Sequence, residues 1–236
     1  MRVAIIQSNY IPWKGYFDAM AAVDEFILLD EVQYTKRDWR NRNRIKPPSG
    51  PQWLSVPVQV KGRFHQRIDE TLVADPDWAA RHWSTLRSVY RRAPHFDAVA
   101  EWLEPRYAAG HERLSDVNRT LLEGMRDALG IETPLRWSTD YAAEGERGER
   151  ILSLCKAAGA DEYVSGPAAR SYLDEAAFAA EGVGVRWLDY GGYREYAQFG
   201  DGFEHGVSAL DLLFHTGPDA AGYLKAFAHG RDAVLV

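Results

Sequence analysis

The 236-residue chain contains 46% hydrophobic and 26% charged residues and carries a formal net charge of -6 at pH 7. This composition is typical of a folded globular protein and excludes a largely disordered chain. The negative charge argues against nonspecific nucleic-acid binding. No apolar stretch approaches the ~20 residues that span a bilayer, and no signal-peptide segment opens the chain. We therefore expect a cytoplasmic protein.

The cysteines and histidines give no sign of a metal site. Cys155 is the single cysteine, which excludes an internal disulfide bond and a cysteine-cluster metal site. Cys155 lies in an apolar helical stretch, where a free thiol is normally a buried, inert side chain. The seven histidines show no paired metal-ligand spacing. The cysteines and histidines therefore predict no metal site, and the sequence leaves any cofactor undetermined.

Short apolar runs alternate with helical segments at both ends of the chain, which is typical of a parallel sheet. The predicted strands are 3–6, 26–29, 53–58, 135–138, 162–165 and 184–189. The predicted helices outside the middle of the chain are 15–23, 149–158, 172–180 and 223–227. Residues 76–130 have helical periodicity instead. We expect an α/β fold, a single domain over residues 1–236, with a mostly parallel Rossmann-like sheet, flanking helices and a central helical block.

The loop after the first predicted strand carries more side-chain chemistry than a simple turn needs. Ligands of open α/β sheets bind just outside the carboxyl ends of the strands. The helix that follows offers free N–H groups and a partial positive charge, which favour phosphate or carboxylate binding. An alternative is that Pro12 and Trp13 only pack this helix onto the sheet. The candidate binding residues of the loop are Gln7, Asn9, Tyr10, Trp13, Lys14 and Gly15.

A second polar cluster follows the second predicted strand. Six cationic side chains occupy residues 36–46, and arginine is suited to bidentate contacts with phosphate or carboxylate groups. In an acidic protein this segment predicts a small anionic ligand, although a solvated charged face is the alternative. The candidate binding residues are Gln33, Lys36, Arg37, Asn41, Arg42 and Asn43.

Asp30 is the candidate catalytic residue of this second cluster. It leaves the second strand beside Glu31, and a carboxylate in this position can act as a general base. The sequence leaves open whether Asp30 instead binds a metal ion, accepts a hydrogen bond from a ligand hydroxyl or forms a structural ion pair with Arg42.

A third cluster repeats the order of strand, glycine turn and helix. Its candidate binding residues are Ser165, Gly166, Arg170 and Tyr172. The alternative is an ordinary turn in which Ser165 or Ser171 caps a helix. In a parallel sheet, all three polar loops emerge on the same edge, which favours one composite site.

These clusters, in this order, resemble the WbqC-like family over nearly the whole chain. The family often has His-Gln-Pro-Asn-Tyr where this chain has Ile6-Gln7-Ser8-Asn9-Tyr10. The matching segments are 7–18, 29–37, 41–45, 163–166, 171–174 and 208–214.

The resemblance implies a transferase of surface-polysaccharide biosynthesis, of the O-antigen type. Its expected reaction is the transfer of a glycyl or other aminoacyl group to an amino sugar. The charge pattern is compatible with a nucleotide-linked sugar, whose diphosphate would contact Lys36, Arg37, Arg42 or Arg44.

A fainter resemblance connects the chain to nucleotidyltransferases of the HIGH type. Residues 13–16 lie where those enzymes carry H-x-G-H between the first strand and helix, although both histidines are absent here. An ATP-using nucleotidyltransferase or ligase is therefore an alternative function. A noncatalytic protein that binds an anionic sugar is another.

Overall fold

A computed structural model describes all residues, 1–236, of the chain. It contains seven strands in two sheets. The strands are β1 (Arg2–Ile6), β2 (Glu25–Leu28), β3 (Arg42–Ile45), β4 (Gln52–Ser55), β5 (Leu135–Trp137), β6 (Glu162–Ser165) and β7 (Gly184–Trp187). The α-helices are α1 (Lys14–Ala21), α2 (Trp78–Tyr90), α3 (Phe96–Tyr107), α4 (Leu114–Ala128), α5 (Arg147–Ala157), α6 (Glu175–Ala180), α7 (Ala209–Thr216) and α8 (Lys225–His229).

The central sheet has five parallel strands in the order β5-β2-β1-β6-β7. The chain moves outward from β1 through β2 to β5 and then crosses to β6 on the other side of β1. The strand order therefore reverses between β1 and β6, the position at which open α/β sheets bind ligands. The predicted α/β class with a parallel Rossmann-like sheet is confirmed.

Both faces of the sheet are covered, which explains why β1 and β2 are continuous apolar runs. Successive residues of a strand point to opposite faces. Ala4 and Leu28 face a large core shared with α1, α4 and α7. Ile5 and Ile27 face a smaller core on the opposite side, together with the fully buried Cys155 of α5. The predicted burial of Cys155 is confirmed.

Helices α2, α3 and α4 form the predicted helical block. Leu86, Leu103 and Leu121, one from each helix, belong to the same core cluster as Ala4 of β1. Both α3 and α4 also contact α7. The block therefore packs against the face of the sheet that carries α1.

The predicted strand 53–58 is wrong in its extent and its position. It is confined to Gln52–Ser55 and pairs antiparallel with Arg42–Ile45, in a two-stranded sheet separate from the parallel one. The arginine-rich segment forms a strand because its side chains alternate. Asn43 and Ile45 are buried, whereas Arg42 and Arg44 are half-buried.

The predicted helix 172–180 begins three residues later, at Glu175. The side chain of Asp174 accepts hydrogen bonds from the main-chain N–H groups of Ala176 and Ala177. An aspartate that satisfies these free donors sets the start of a helix. The turn before it is a short 3-10 helix, Pro167–Ser171.

Residues 189–206 contain no helix or strand, and cationic side chains hold their main chain. Lys46 Nζ donates to three carbonyl oxygens of this segment at 2.7 to 3.4 Å. Lys14, Arg44 and Lys225 each donate to another carbonyl, at 3.1, 3.0 and 3.0 Å. These contacts satisfy carbonyl groups that have no partner within a regular element.

Gly15 allows the Trp13 side chain to lie against the first turn of α1. A Cβ atom added at Gly15 would be 2.3 Å from a carbon of the Trp13 ring. That ring also packs edge-on against Tyr190 and Tyr193, with centroids 5.1 and 5.7 Å apart. The glycine is therefore required by the packing of Trp13.

We predict that Gly15→Ala lowers the free energy of unfolding by about 1–3 kcal/mol, because the added methyl group displaces the Trp13 ring. Gly148→Ala is the matched control, at the same position of α5 with no atom within 4 Å of the added Cβ. The control is expected to be neutral or to stabilise the protein by about 0.5 kcal/mol. Chemical denaturation measures both values, and equal effects of the two substitutions would contradict this explanation.

Candidate functional site

Three predicted clusters lie at one edge of the parallel sheet. β1 pairs with β2 on one side and with β6 on the other, all in parallel. Gln7 therefore emerges from the sheet between Asp30, which follows β2, and Gly166, which follows β6. Ser138, after β5, lies at the same edge. The binding roles assigned to these residues stay predictions.

Asp30 is a buried carboxylate that Ser8 holds in place. Oδ1 accepts a hydrogen bond from the main-chain N–H of Ser8 at 2.8 Å, and Oδ2 accepts one from its hydroxyl at 2.6 Å. The Asn118 side-chain amide, on α4, donates to the Ser8 hydroxyl and to the Arg40 carbonyl oxygen, both at 2.9 Å. This network joins the ends of β1 and β2 to the helical block and to the arginine-rich segment.

Burial raises the pKa of Asp30 above its ordinary value, although the hydrogen bonds from Ser8, the contact with the Ser115 hydroxyl and the charge of Arg40 act in the opposite direction. The structural ion pair with Arg42, left open by the sequence, is not formed. The Arg42 guanidinium instead donates to the carbonyl oxygen of Arg37 and lies 4.3 Å from the Trp53 ring centroid.

One side of Asp30 faces a small acidic cavity of about 160 Å³. The Ser115 side chain is 3% exposed, and its hydroxyl lies beside the Asp30 carboxylate without a hydrogen bond of normal geometry. Four carboxyl groups and one guanidinium line the cavity, so a cationic group is electrostatically favoured there. The lining residues are Asp30, Glu31, Asp69, Arg113, Ser115, Asp116, Trp137, Ser138 and Thr139.

Two of these four acids have cationic partners outside the cavity lining. Glu31 pairs with Arg150 of α5, and Asp69 is held by Arg67 at 3.0 and 3.1 Å. The Asp30 oxygens are occupied by Ser8 rather than by a cation. The negative charge of Asp30 is therefore available to a ligand.

The loop between β1 and α1, which we call the opening loop, places some residues at the carboxyl ends of the strands and others in the core. The Gln7 carbonyl oxygen accepts a hydrogen bond from the Tyr16 hydroxyl at 3.1 Å, and the Asn9 side chain binds Arg40. Tyr10 is fully buried, and its hydroxyl contacts His82 and another tyrosine of the helical block at 2.7 Å. Tyr10 therefore anchors the loop to the block.

Lys14 is enclosed by aromatic rings rather than exposed to the sheet edge. Its Nζ atom lies 5.1, 5.6 and 5.1 Å from the ring centroids of Tyr193, Tyr196 and Phe203. Burial lowers the pKa of Lys14 to about 8. Contacts with aromatic faces stabilise a desolvated ammonium group, and the lysine side chain helps to hold segment 189–206.

The amides of the second cluster support the main chain. The Gln33 side chain donates to the Phe64 carbonyl oxygen at 2.9 Å, and that of Asn41 donates to Val56 at 2.8 Å. Asn43 donates to the Tyr10 carbonyl oxygen at 3.2 Å.

The cations of this cluster fall into two groups. Lys36 and Arg37 are exposed. Arg44 instead donates to the Gly206 carbonyl oxygen and pairs with Glu204. Lys36 and Arg37 are therefore on the surface, and their side chains do not hold another segment of the chain in place as Arg44 does.

The third cluster is split between the protein interior and the solvent. Ser165 is buried and donates to the Tyr163 hydroxyl at 3.2 Å. Gly166 lies close to the hydroxyl of Tyr190, 3.5 Å from the position of an added Cβ atom. Arg170 is exposed over the Trp187 ring, and Tyr172 is 66% exposed.

Sequence reasoning missed the residues that surround Asp30. Ser115 and Asn118 are three positions apart on α4, which places them on one helix face. This spacing was the sequence feature that could have identified them as a pair. No local pattern indicates that they lie near Ser8, which is 110 residues from Asn118.

The model of the WbqC-like protein family matches residues 7–223. The chain belongs to this family. The WbqC-like chain is also 56% identical over 225 residues to an uncharacterized protein of Mycobacterium tuberculosis, Rv1507c, with 95% of this chain and 97% of that relative covered. No solved structure matches it. The resemblance drawn from the sequence motifs is confirmed.

None of the helices of this WbqC-like protein combines the length and apolar character that crossing a bilayer requires. No group of three or more His, Cys, Asp or Glu side chains is arranged to hold a metal ion.

We predict that Asp30→Asn becomes more stable relative to the unchanged protein as the pH rises from 4 to 7. Because the pKa of Asp30 is raised on folding, the folded state binds the proton more tightly than the unfolded state. The unchanged protein therefore loses stability as the pH rises from the ordinary value through the raised pKa. Thermal or chemical unfolding at several pH values measures the difference.

Asp24→Asn is the control, and its stability is expected to change with pH in the opposite direction. The hydrogen bond from the main-chain N–H of Arg2, and the charge of Arg231, lower the pKa of Asp24. This variant should lose stability relative to the unchanged protein as the pH rises through the ordinary aspartate range. The same pH trend in both variants would contradict the assigned environments.

Proposed function

We propose that this WbqC-like protein transfers a glycyl or other aminoacyl group to an amino sugar in surface-polysaccharide biosynthesis. Family membership suggests a polysaccharide-related role. The observation that carries the proposal is Asp30, a buried carboxylate without a cationic partner beside a small acidic cavity.

The cavity suits the protonated amino group of an acceptor. Its volume of about 160 Å³ accommodates an ammonium group and its neighbouring carbon atoms, with the rest of the sugar outside. Asp30 and Asp116 supply negative charge, and Ser115 supplies a buried hydroxyl beside Asp30. A hydroxyl oxygen accepts a hydrogen bond from a ligand ammonium group, and hydrogen bonds to charged groups are the stronger ones.

Asp30 would act as the general base. Its carboxylate takes one proton from the ammonium group, which leaves a lone pair on the nitrogen. That lone pair attacks the acyl carbonyl carbon, and the bond from this carbon to the leaving group breaks with its electrons going to the leaving group. The nitrogen then gives a second proton to the departing leaving group and becomes an amide, and Asp30 returns its proton to the solvent. A raised pKa makes Asp30 a stronger base, closer to the working pH.

An ATP-using nucleotidyltransferase or ligase is the second candidate. The reversal of strand order between β1 and β6 favours it, because nucleotides bind at such positions. Lys14 argues against it, since its ammonium group is enclosed by aromatic rings and is therefore withdrawn from a nucleotide phosphate at this position. Release of pyrophosphate that depends on ATP and Mg²⁺ would favour this candidate over acyl transfer.

The direct test incubates the purified protein with amino sugars, free and nucleotide-linked, and with activated glycine. We expect a product heavier by one glycyl group, detected by mass spectrometry. Asp30→Asn should reduce the rate by about 100-fold or more, because loss of a general base has an effect of this size. Asp97→Asn, at an exposed aspartate of α3, should retain the full rate. Absence of product across a broad panel of acyl donors would refute the transferase proposal.

The pH dependence of the rate tests the role of Asp30 separately. The rate should fall on the acid side at a pH above the ordinary aspartate range, because burial raises the pKa of Asp30. Ser8→Ala removes a hydrogen bond to the carboxylate, so the acid limb of the pH–rate profile should move to still higher pH. Ser84→Ala, at an exposed serine of α2, should leave it in place. An unmoved limb in Ser8→Ala would exclude Asp30 as the titrating base.

A further inference from the structure

The outward face of the β3–β4 hairpin carries aromatic and basic side chains. Arg44 lies opposite Trp53 in the antiparallel register, and Arg42 lies two residues before it on the same face. The other face, with Ile45 and Leu54, belongs to the large core. The hairpin is therefore fixed by its buried face. On its outward face Arg44 binds segment 189–206, whereas the Trp53 side chain is exposed to solvent.

Two tryptophans form a platform on this face. Trp39 and Trp53 are each 43% exposed, and their ring centroids are 5.5 Å apart with an interplanar angle of 34°. The Arg42 guanidinium lies 4.3 Å from the Trp53 centroid and restrains that ring. Exposed, restrained indoles present flat apolar surface to the solvent, which is typical of a binding site for a planar ring.

Two cations precede the platform in the chain. Lys36 and Arg37 are exposed, and the neighbouring acid, Asp38, is engaged by Thr35, by the Trp39 main-chain N–H and by an arginine at 3.7 Å. Arg37 has φ = +60°, an uncommon conformation for a residue other than glycine. Such strained residues cluster at ligand-binding sites.

We propose that this face binds the nucleoside diphosphate of a nucleotide-linked amino sugar. The base stacks on Trp39 and Trp53, and the diphosphate contacts Lys36 and Arg37. The inference rests on the proposed function, because the nucleotide is the carrier of the acceptor sugar. Two free cations match the charge of a diphosphate, whereas a nucleic acid would need a longer basic track.

The platform is connected to the candidate catalytic residue. The Trp39 carbonyl oxygen accepts a hydrogen bond from the main chain of the opening loop at 3.0 Å. The next residue, Arg40, is joined to Asp30 through Asn118 and Ser8. The segment that carries the platform is therefore held in a fixed position relative to the Asp30 network.

Isothermal titration calorimetry with uridine, cytidine, thymidine, guanosine and adenosine diphosphates tests this site without an acyl donor or sugar. At least one nucleotide should bind, and Trp39→Ala and Trp53→Ala should each weaken its binding by about 10-fold, the size expected for one stacking contact. Trp53→Phe should restore part of the affinity, because it keeps a stacking ring. Lys36→Ala should weaken binding and reduce its salt dependence.

Two exposed positions elsewhere serve as matched controls. Phe227→Ala removes an aromatic ring that is 47% exposed, and Lys61→Ala removes an exposed cation. Both should bind the nucleotide as the unchanged protein does, and circular dichroism should confirm that all variants are folded.

Four results would overturn the inference. They are no binding of any nucleotide, unchanged affinity in both tryptophan variants, inorganic pyrophosphate binding as tightly as the nucleotides, and single-stranded oligonucleotides binding more tightly than nucleotides. Acyl transfer to a free amino sugar is unaffected by any of these results. Conversely, nucleotide binding remains measurable by calorimetry if the protein has no transferase activity. The two experiments therefore test the two proposals independently.

Discussion

A carboxylate that is buried without a cation requires hydrogen bonds to its oxygens, and the candidate site is organised around this requirement at Asp30. Ser8 supplies both donors from the end of β1. Asn118 then fixes Ser8 and the Arg40 carbonyl together. The first loop of the sheet, the helical block and the arginine-rich segment therefore meet at one charged group. Satisfying Asp30 with uncharged donors leaves its negative charge to act on a ligand.

A second constraint concerns the irregular segment 189–206. A segment without regular structure must find partners for its main-chain carbonyl groups, and Lys14, Arg44 and Lys46 provide them. Charge alone would assign these three cations to an anionic ligand, but they stabilise the main chain of this segment instead. The charge that remains for a ligand is concentrated on Lys36 and Arg37, beside the exposed tryptophans.

The two proposed ligand sites carry electrostatic charge of opposite sign, and the two ends of the proposed substrate are charged in the complementary way. The Asp30 cavity is acidic and suits an ammonium group, whereas the hairpin face is basic and aromatic and suits a nucleoside diphosphate. A nucleotide-linked amino sugar carries both groups. The anchoring of Trp39 and Arg40 to the Asp30 network gives this combination a structural basis.

The sequence by itself determined the α/β class, the parallel sheet, the helical block and the family. The strand Glu162–Ser165 was predicted at its observed bounds and the helical block within 76–130, because local periodicity reflects which side chains are buried. Only the tertiary structure decided that Arg42–Ile45 is a strand, that Lys14 is enclosed, and that Ser8 and Asn118 hold the site. These outcomes depend on contacts between distant segments, such as the 110 residues between Ser8 and Asn118, and no local pattern encodes them.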